Sequence, residues 1–140
     1  MPMIRQNADS SLGIEGSAGG EGGFIPLTLN YTASIVDCTL FTADRPYTVK
    51  AIRGRVDVAG TGGACTAVIR KVPSATAITA GTALHSASFN LVGTANAQQA
   101  LTLSTTASDL LLAAGDSICF DLTGTATSAV GAISVFLNPA

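Results

Sequence analysis

The segment YTVKAIRGRVDV, residues 47–58, shows the pattern that decides the fold. Apolar and charged residues alternate in its second half, so Ile52, Val56 and Val58 share one face while the charged residues share the other. A period of two residues is typical of a β-strand with one buried face. The segment GACTAVIRKVP, residues 63–73, follows across a short glycine-rich stretch, so we expect the two strands to form a β-hairpin.

The rest of the chain repeats this arrangement of short β-favouring runs separated by glycine-containing turns. Further strands are predicted at HSASFNLVG (85–93), QALTLST (99–105), SICFDL (117–122) and AISVFLN (132–138). Two short helical or irregular turns are expected within residues 74–84 and 106–115. About seven or eight short strands without a sustained helical period indicate an all-β protein, an antiparallel β-sandwich that is jelly-roll-like, with an immunoglobulin-like sandwich as the alternative.

The N-terminal segment differs in composition from the rest of the chain. Residues 1–23 end in GIEGSAGGEGG and hold few apolar residues, so we expect an extended Gly-rich arm there. The predicted division is an N-terminal arm over residues 1–30 and a β-sandwich domain over residues 31–140. We expect the arm to lie along a neighbouring subunit and to add a strand to the edge of a sheet.

Charge is scarce in this sequence. Only 11% of the 140 residues are charged, 47% are hydrophobic, and the formal net charge is -2. A surface made mostly of Thr, Ser, Ala and Gly loses little hydration when another protein covers it, so the chain suits an assembly. The small net charge gives no general attraction for nucleic acid or anionic lipid, so neither is expected as a partner. No secretory signal or long apolar run is recognisable, which favours synthesis in a cytosol-like compartment.

Motifs for catalysis and for metal binding are sparse. His85 is the sole histidine, and no nucleophile motif, phosphate loop or calcium loop is present. Cys38, Cys65 and Cys119 are widely spaced, so we expect buried thiols rather than a zinc site or a disulfide framework. We therefore expect no enzymatic activity, no metal and no cofactor.

One apolar stretch with two carboxylates needs a separate interpretation. LLLAAGDSICFDLTG, residues 110–124, places Asp116 and Asp121 on either side of Cys119. We expect Asp116 to occupy a turn, where its carboxylate accepts backbone N–H bonds, and Asp121 and Cys119 to share the outward face of a strand. The stretch is thus interpreted as a sheet corner and not as an active site.

Five of the seven basic residues lie between Lys50 and Lys71. If the expected hairpin forms, Arg53 and Arg55 share a face, and Arg70 or Lys71 lies across from them. Two interpretations remain open, a solvated sheet face and a docking patch for an acidic protein surface. Single-stranded nucleic acid is disfavoured, since its binding sites interleave cations with aromatic rings and the hairpin offers Tyr47 alone.

From Asp44 to Ala140 the sequence resembles head decoration (cement) proteins of tailed bacteriophages. The resemblance rests on three stretches, DRPYTVKAIRGRVDVAGTGGACTAVIRKVPSATAITAGTAL, NLVGTANAQQALTL and LLLAAGDSICFDLTGTATSAVGAISVFLNP. It implies a β-sandwich or jelly-roll domain that binds the outside of a bacteriophage capsid and stabilises it.

The resemblance also implies partners and a location. The major capsid protein is the expected partner, a homotrimer is the expected oligomer, and the protein is expected on the capsid surface of a virion after synthesis in the host cytoplasm. Arg53, Arg55, Arg70 and Lys71 are the candidate protein-binding residues. The alternative is a receptor- or glycan-binding domain of a phage fibre or tail, which the 5% aromatic content and the absence of Trp disfavour.

Overall fold

The structure is a computed structural model that describes residues 24–140. The expectation of an extended arm over the first 23 residues therefore lies outside the described part of the chain. Within that part are ten strands, namely β1 (Ile25–Tyr31), β2 (Cys38–Thr42), β3 (Tyr47–Val58), β4 (Cys65–Val72), β5 (Thr82–Ala83), β6 (Phe89–Asn90), β7 (Ala97–Leu101), β8 (Leu111–Leu112), β9 (Ser117–Gly124) and β10 (Val130–Pro139). Two 3₁₀ turns, at Ile78–Ala80 and Ala107–Leu110, fall within the two segments predicted to form short turns.

The strands form two antiparallel sheets. Sheet A has the order β1-β10-β3-β7, and β8 also pairs with β3. Sheet B has the order β2-β9-β4-β5, and β6 also pairs with β4. The pairs are nested along the chain, because β4 pairs with β5 and β6, β3 with β7 and β8, β2 with β9, and β1 with β10. A long hairpin rolled onto itself gives this order, so the predicted jelly-roll-like sandwich is confirmed.

The hydrophobic core lies between the two sheets. In β10, Ile133, Val135 and Leu137 are fully buried while the residues between them are partly exposed. In β9, Ile118 and Phe120 are fully buried on the same inner face. The two-residue alternation visible in the sequence therefore predicted the core face of both strands correctly.

A glycine allows the closest approach between the two sheets. Gly54 in β3 faces inward, and the ring of Phe89 occupies the space where its side chain would lie. The same ring packs edge-on against Tyr31, with ring centroids 6.0 Å apart and an interplanar angle of 74°. This geometry is favourable for two aromatic quadrupoles, so the small residue is required by the packing and not by a turn.

The expected hairpin between residues 47–58 and 63–73 is wrong. β3 belongs to sheet A and β4 to sheet B, and residues 59–64 carry the chain from one sheet to the other. Gly62 and Gly63 adopt φ values of 89° and 143° in this crossing, which side-chain-bearing residues rarely adopt. A glycine-rich link between two amphipathic strands fits an arch between sheets as well as a hairpin, so the pattern alone did not distinguish them.

The β-sandwich begins earlier than the boundary predicted at residue 31. Residues 25–31 form β1 and pair along their whole length with β10. Their apolar positions alternate, with Leu27, Leu29 and Tyr31 against the core. β1 is an edge strand, since no strand of residues 24–140 pairs with its other side.

Candidate docking surface

The outer face of sheet A is built by regular strands. Across its middle, the register places Thr28 beside Ser134 and Ser134 beside Arg53. The Thr28 and Ser134 hydroxyls are 2.8 Å apart and form a hydrogen bond. Because β-strand side chains alternate, this face collects the small and polar members of four strands. The outward-facing residues of β10 can be identified in the sequence AISVFLN. Ser134 and Phe136 lie between its core positions there.

Arg53 and Arg55 both lie on this outer face, as predicted from their spacing. Together with Gln98, Ser134 and Phe136 they line a shallow groove with a volume of about 240 Å³. The Phe136 ring supplies an apolar wall and the two guanidinium groups supply positive charge. The groove therefore suits a partner that offers a carboxylate next to an apolar side chain.

The two arginines differ in their partners. Arg55 donates from Nε to Asp57 Oδ1 at 2.8 Å and from Nη2 to Asn96 Oδ1 at 3.3 Å. Arg53 makes no ion pair with any residue of the described range 24–140. Toward residues 24–140, the Arg53 guanidinium therefore keeps its hydrogen-bond donors unused.

Arg70 lies elsewhere, on the outer face of sheet B. Its Nε donates to Asp121 Oδ2 at 2.6 Å, and its Nη1 donates to the Gly81 carbonyl at 3.1 Å. The side chains of Arg70 and Asp121 are only 23% and 9% exposed. This ion pair holds the guanidinium against the outer face of sheet B, so it does not form one patch with Arg53 and Arg55.

Lys71 points to the opposite side of β4 from Arg70. Its Nζ donates to the carbonyl oxygens of Ser108, at 2.7 Å, and Leu111, at 3.0 Å. Leu111 begins β8, which pairs with β3 in sheet A, so Lys71 connects the two sheets at the rim of the sandwich. The four cations predicted to form one patch are therefore distributed over three surfaces, and only Arg53 and Arg55 lie together.

His85 has a structural role. Its Nε2 accepts the backbone N–H of Ile69 at 2.9 Å, and its Nδ1 lies 2.9 Å from the Ala87 carbonyl oxygen. Because Nε2 accepts a hydrogen bond, the ring is neutral and Nδ1 carries the proton that is donated to Ala87. Burial lowers the pKa of His85, and the nearby charge of Arg70 lowers it further. Both ring nitrogens take part in internal hydrogen bonds, so His85 is a hydrogen-bonded structural histidine.

The corner predicted at residues 110–124 is present. Asp116 Oδ2 accepts the backbone N–H of Ala113 at 2.9 Å, and Gly115 beside it has a φ of 93°. Asp121 and Cys119 do share a face of β9, but both are buried. The Arg70 side chain and the Cys119–Thr39 contact, with Sγ 3.4 Å from Oγ1, cover that face. The cover comes from the same chain and not from a second sheet.

A separate cleft of about 350 Å³ opens near His85. Its walls carry hydroxyl groups and the carboxylate of Asp109, which accepts a hydrogen bond of 2.6 Å from Ser104 Oγ. Among the described residues that line this cleft there is no Phe, Tyr or Trp. The cleft offers hydrogen-bonding groups but lacks the broad aromatic side chains on which sugar rings stack.

Metal-ligating side chains do not cluster among residues 24–140, where no group of three or more is found. All three cysteines are free thiols, with Cys65 and Cys119 buried and Cys38 half-buried. No helix in the described part of the chain is long and apolar enough to cross a membrane.

Comparisons with known proteins identify the fold. No protein-family model matches the sequence, and no curated protein matches it. Among solved structures, a chain of the capsid of Ralstonia phage GP4 superposes with a TM-score of 0.54 and 16% sequence identity, over 91% of this chain and 93% of that chain. A chain of the infectious bursal disease virus Gx strain overlaps with a TM-score of 0.39 and 13% identity, and this chain spans 40% of its length. The chain therefore shares its β-sandwich fold, nearly end to end, with a chain of the Ralstonia phage GP4 capsid.

Proposed function

We propose that the protein is a structural virion protein that binds the outer surface of a bacteriophage capsid and stabilises it. Its partner is the major capsid protein, and the protein acts as a homotrimer. The observation that supports this proposal best is the fold, which is shared over 91% of this chain with a chain of a phage capsid. In this proposal the role is architectural, which agrees with the commitment of the lone imidazole of His85 to two internal hydrogen bonds.

The outer face of sheet A is the docking surface in this proposal. Arg53 contributes a guanidinium that makes no ion pair within residues 24–140, and Phe136 contributes an apolar wall within the same groove. Arginine and aromatic side chains are enriched among residues that dominate binding energy at protein interfaces. Small side chains such as Ser134 and Thr28 surround them and lose little hydration on contact, so an acidic patch of the capsid can approach closely.

The test is direct binding to empty mature capsids, followed by electron microscopy. Saturable, symmetrically ordered density on the shell is the expected result, and binding should weaken as salt is added because the contact pairs opposite charges. Arg53→Glu should reduce the affinity at least about tenfold, since a like charge then faces the acidic patch.

Arg45→Glu is the matched control. Arg45 is also exposed, with 64% of its side chain accessible, but it lies in the turn before β3, where it pairs with Asp44 at 3.2 Å. Binding by this variant should equal that of the wild type. Equal loss of binding in both variants would contradict docking through sheet A, and no binding of the wild type to shells would contradict the decoration role itself.

The trimer is tested separately by analytical ultracentrifugation of the free protein and by the symmetry of the density on the shell. A three-fold arrangement would multiply individually weak contacts, since each trimer engages several capsid subunits at once. A free protein that stays monomeric and binds shells as isolated monomers would contradict this part of the proposal.

A glycan-binding role is the second candidate, and the polar cleft near His85 is the observation that favours it. The Asp109 carboxylate and the hydroxyl groups of Ser104 and Thr105 line that cleft and match the hydrogen-bonding needs of a sugar. The lack of an aromatic platform weighs against it. Binding to host-cell glycans, together with no binding to shells, would favour this role over capsid decoration.

A further inference from the structure

The imidazole of His85 takes the place of a backbone group in the hydrogen bonding of sheet B. β5 and β6 both pair with β4, and residues 84–88 lie between them. The register leaves Val68 and Ile69 of β4 opposite this segment, which is too few residues for a regular ladder. A side chain supplies the missing acceptor, because Nε2 of His85 accepts the Ile69 N–H at 2.9 Å.

Residues 85–88 lie between two residues of the hydrophobic core. Leu84 and Phe89 are fully buried, whereas residues 86–88 are exposed. His85 is the one buried residue within 85–88. Its imidazole therefore provides the buried attachment of this short segment to β4, and the two core residues are fixed points between which the segment can move.

The same segment forms one wall of the cleft near His85. The Ser86 N–H donates to the Thr102 carbonyl at 2.9 Å, and a β-bridge pairs His85 with Leu103. Residues 102–105 supply the facing wall of the cleft. A movement of residues 85–88 away from β4 would break these contacts and open the cleft to solvent.

We propose that His85 is a pH-sensitive switch whose protonation releases residues 85–88 from β4 and opens the cleft. In the closed state the lone pair of Nε2 accepts the Ile69 N–H, and Nδ1 donates to the Ala87 carbonyl. A proton taken up from water occupies that lone pair, so two donors then face each other and the Ile69 N–H loses its acceptor. The imidazolium regains an acceptor by turning toward water, and residues 85–88 move with it.

The cations of β4 oppose an imidazolium in the closed position. The charge of Arg70 acts on the ring of His85, and the ion pair with Asp121 holds Arg70 in place. Lys71 is held by the carbonyl oxygens of Ser108 and Leu111 at the rim of the sandwich. Neither cation can accept a hydrogen bond, so neither offers the protonated ring a new partner on the β4 side.

The cleft offers the opposite charge. Asp109, in the second 3₁₀ turn, lines the cleft together with His85. Its carboxylate already accepts a hydrogen bond of 2.6 Å from Ser104 and keeps further lone pairs. An imidazolium that turns into the cleft therefore moves away from Arg70 and toward a carboxylate, so the open state binds the proton more tightly than the closed state does.

The direction of the pH dependence follows from this difference. Burial and the charge of Arg70 lower the pKa of His85 in the closed state, while a hydrated ring titrates near 6.5. Opening is therefore favoured as the pH falls below about 6.5, and the closed state is favoured above it. Because Leu84 and Phe89 can stay in the core, this opening is local and precedes unfolding of the sandwich.

Hydrogen exchange measured by NMR on the full chain tests the switch. The amides of Ile69 and Ser86 should lose at least about tenfold in protection between about pH 7.5 and about pH 5, after correction for the intrinsic pH dependence of exchange. The amides of β10, which is paired on both sides, should stay protected. His85 is the sole histidine, so its ring signals report protonation directly, and the loss should follow that titration.

Two variants separate the imidazole from the carboxylate of the cleft. His85→Gln can accept the Ile69 N–H but does not titrate, so Ile69 and Ser86 should keep their protection at about pH 5. Asp109→Asn keeps the imidazole and removes the charge that favours the open state. The acid-induced loss should persist in this variant and should occur at a lower pH than in the wild type.

Retained protection of Ile69 and Ser86 in the wild type down to about pH 4.5, with or without titration of the ring, would overturn the proposal. An equal loss at the β10 amides would also overturn it, because it would show global unfolding and not local opening. The same loss in His85→Gln would assign the response to another group. None of these measurements involves capsids, so this inference can fail while the proposed decoration role stands, and the reverse.

Discussion

Arg70 and Asp121 form an ion pair across neighbouring strands of sheet B, with Arg70 Nε 2.6 Å from Asp121 Oδ2. The β4–β9 register places Arg70 opposite Cys119, so the pair is a diagonal one on the outer face of the sheet. The second guanidinium bond, to the Gly81 carbonyl, fastens the segment that follows the first 3₁₀ turn. Arg70 in β4 therefore binds both the neighbouring strand β9 and the end of the first 3₁₀ turn, just before β5.

Removing one partner of this ion pair should be costly. Asp121→Ala leaves a mostly buried guanidinium without its counter-charge, so the free energy of unfolding should fall by roughly 3 kcal/mol. Asp57→Ala removes the partner of Arg55 from an exposed pair, whose side chains are 56% and 48% accessible, and should cost less than about 1 kcal/mol. Urea denaturation of both variants measures the difference, and equal effects would contradict the structural role of Asp121.

Stability should fall as the pH drops below the ordinary pKa of histidine. Burial and the charge of Arg70 lower the pKa of His85 in the folded state. As the pH falls through about 6.5, the unfolded chain binds a proton before the folded one does, so protonation favours unfolding. Above that pH both states are neutral at this residue, and the penalty is absent.

His85→Gln is the variant that isolates this dependence. Its side-chain oxygen can accept the Ile69 N–H, but the side chain does not titrate. The urea midpoint of the wild type should decrease between about pH 7.5 and about pH 5.5, while that of the variant should change less. A decrease of the same size in both proteins would assign the effect to other groups.

Two tyrosines should respond to loss of the hydroxyl in opposite directions. The Tyr31 hydroxyl is buried and has no hydrogen-bond partner among the described residues, and burial raises its pKa to about 12. Tyr31→Phe removes an unsatisfied polar group and should stabilise the fold by up to about 1 kcal/mol. Tyr47→Phe loses the 2.7 Å bond to Asp44 and should destabilise it. Thermal denaturation of the two variants would contradict this account if both melted at lower temperature than the wild type.

Gly54 should not tolerate even a methyl group. An alanine Cβ at this position would overlap the Phe89 ring, with Cδ1 only 2.7 Å away. Gly54→Ala should therefore lower the free energy of unfolding by about 2–3 kcal/mol through overpacking. Adding Phe89→Leu makes room for the methyl group, so the double variant should lose less than the two single changes together. Strict additivity in a double-mutant cycle would contradict direct contact between the two positions.

The features of the fold that depend on local alternation could be predicted from the sequence. The inward sets of β9 and β10 follow directly from a period of two, and the two short turns were located by their composition. The prediction that Asp116 occupies a turn and accepts a backbone N–H is also confirmed, since its carboxylate, beside Gly115, accepts the N–H of Ala113. These are properties of neighbouring residues, which a linear pattern records.

Features that depend on which strands meet could not be predicted in this way. The link between β3 and β4 has the residues of a tight turn, yet it joins two sheets, so Arg70 and Lys71 are separated from Arg53. The sequence alone favours an exposed Lys71. In the structure its ammonium group donates to two backbone carbonyls about 40 residues further along the chain. The burial of Asp121 and Cys119 likewise results from residues far along the chain.

The nested pairing of the strands has a consequence for the order of folding. Sheet A has β10 at its centre, between β1 and β3, and Ile25 pairs with Leu137. Such distant partners give a high contact order, which is typical of domains that fold in milliseconds to seconds. During translation, β1 lacks its partner β10, and β3 can pair only on its β7 and β8 side, until residue 139 has left the ribosome. The time between the synthesis of β3 and the arrival of β10 is thus the period in which this weakly charged chain is most exposed to aggregation.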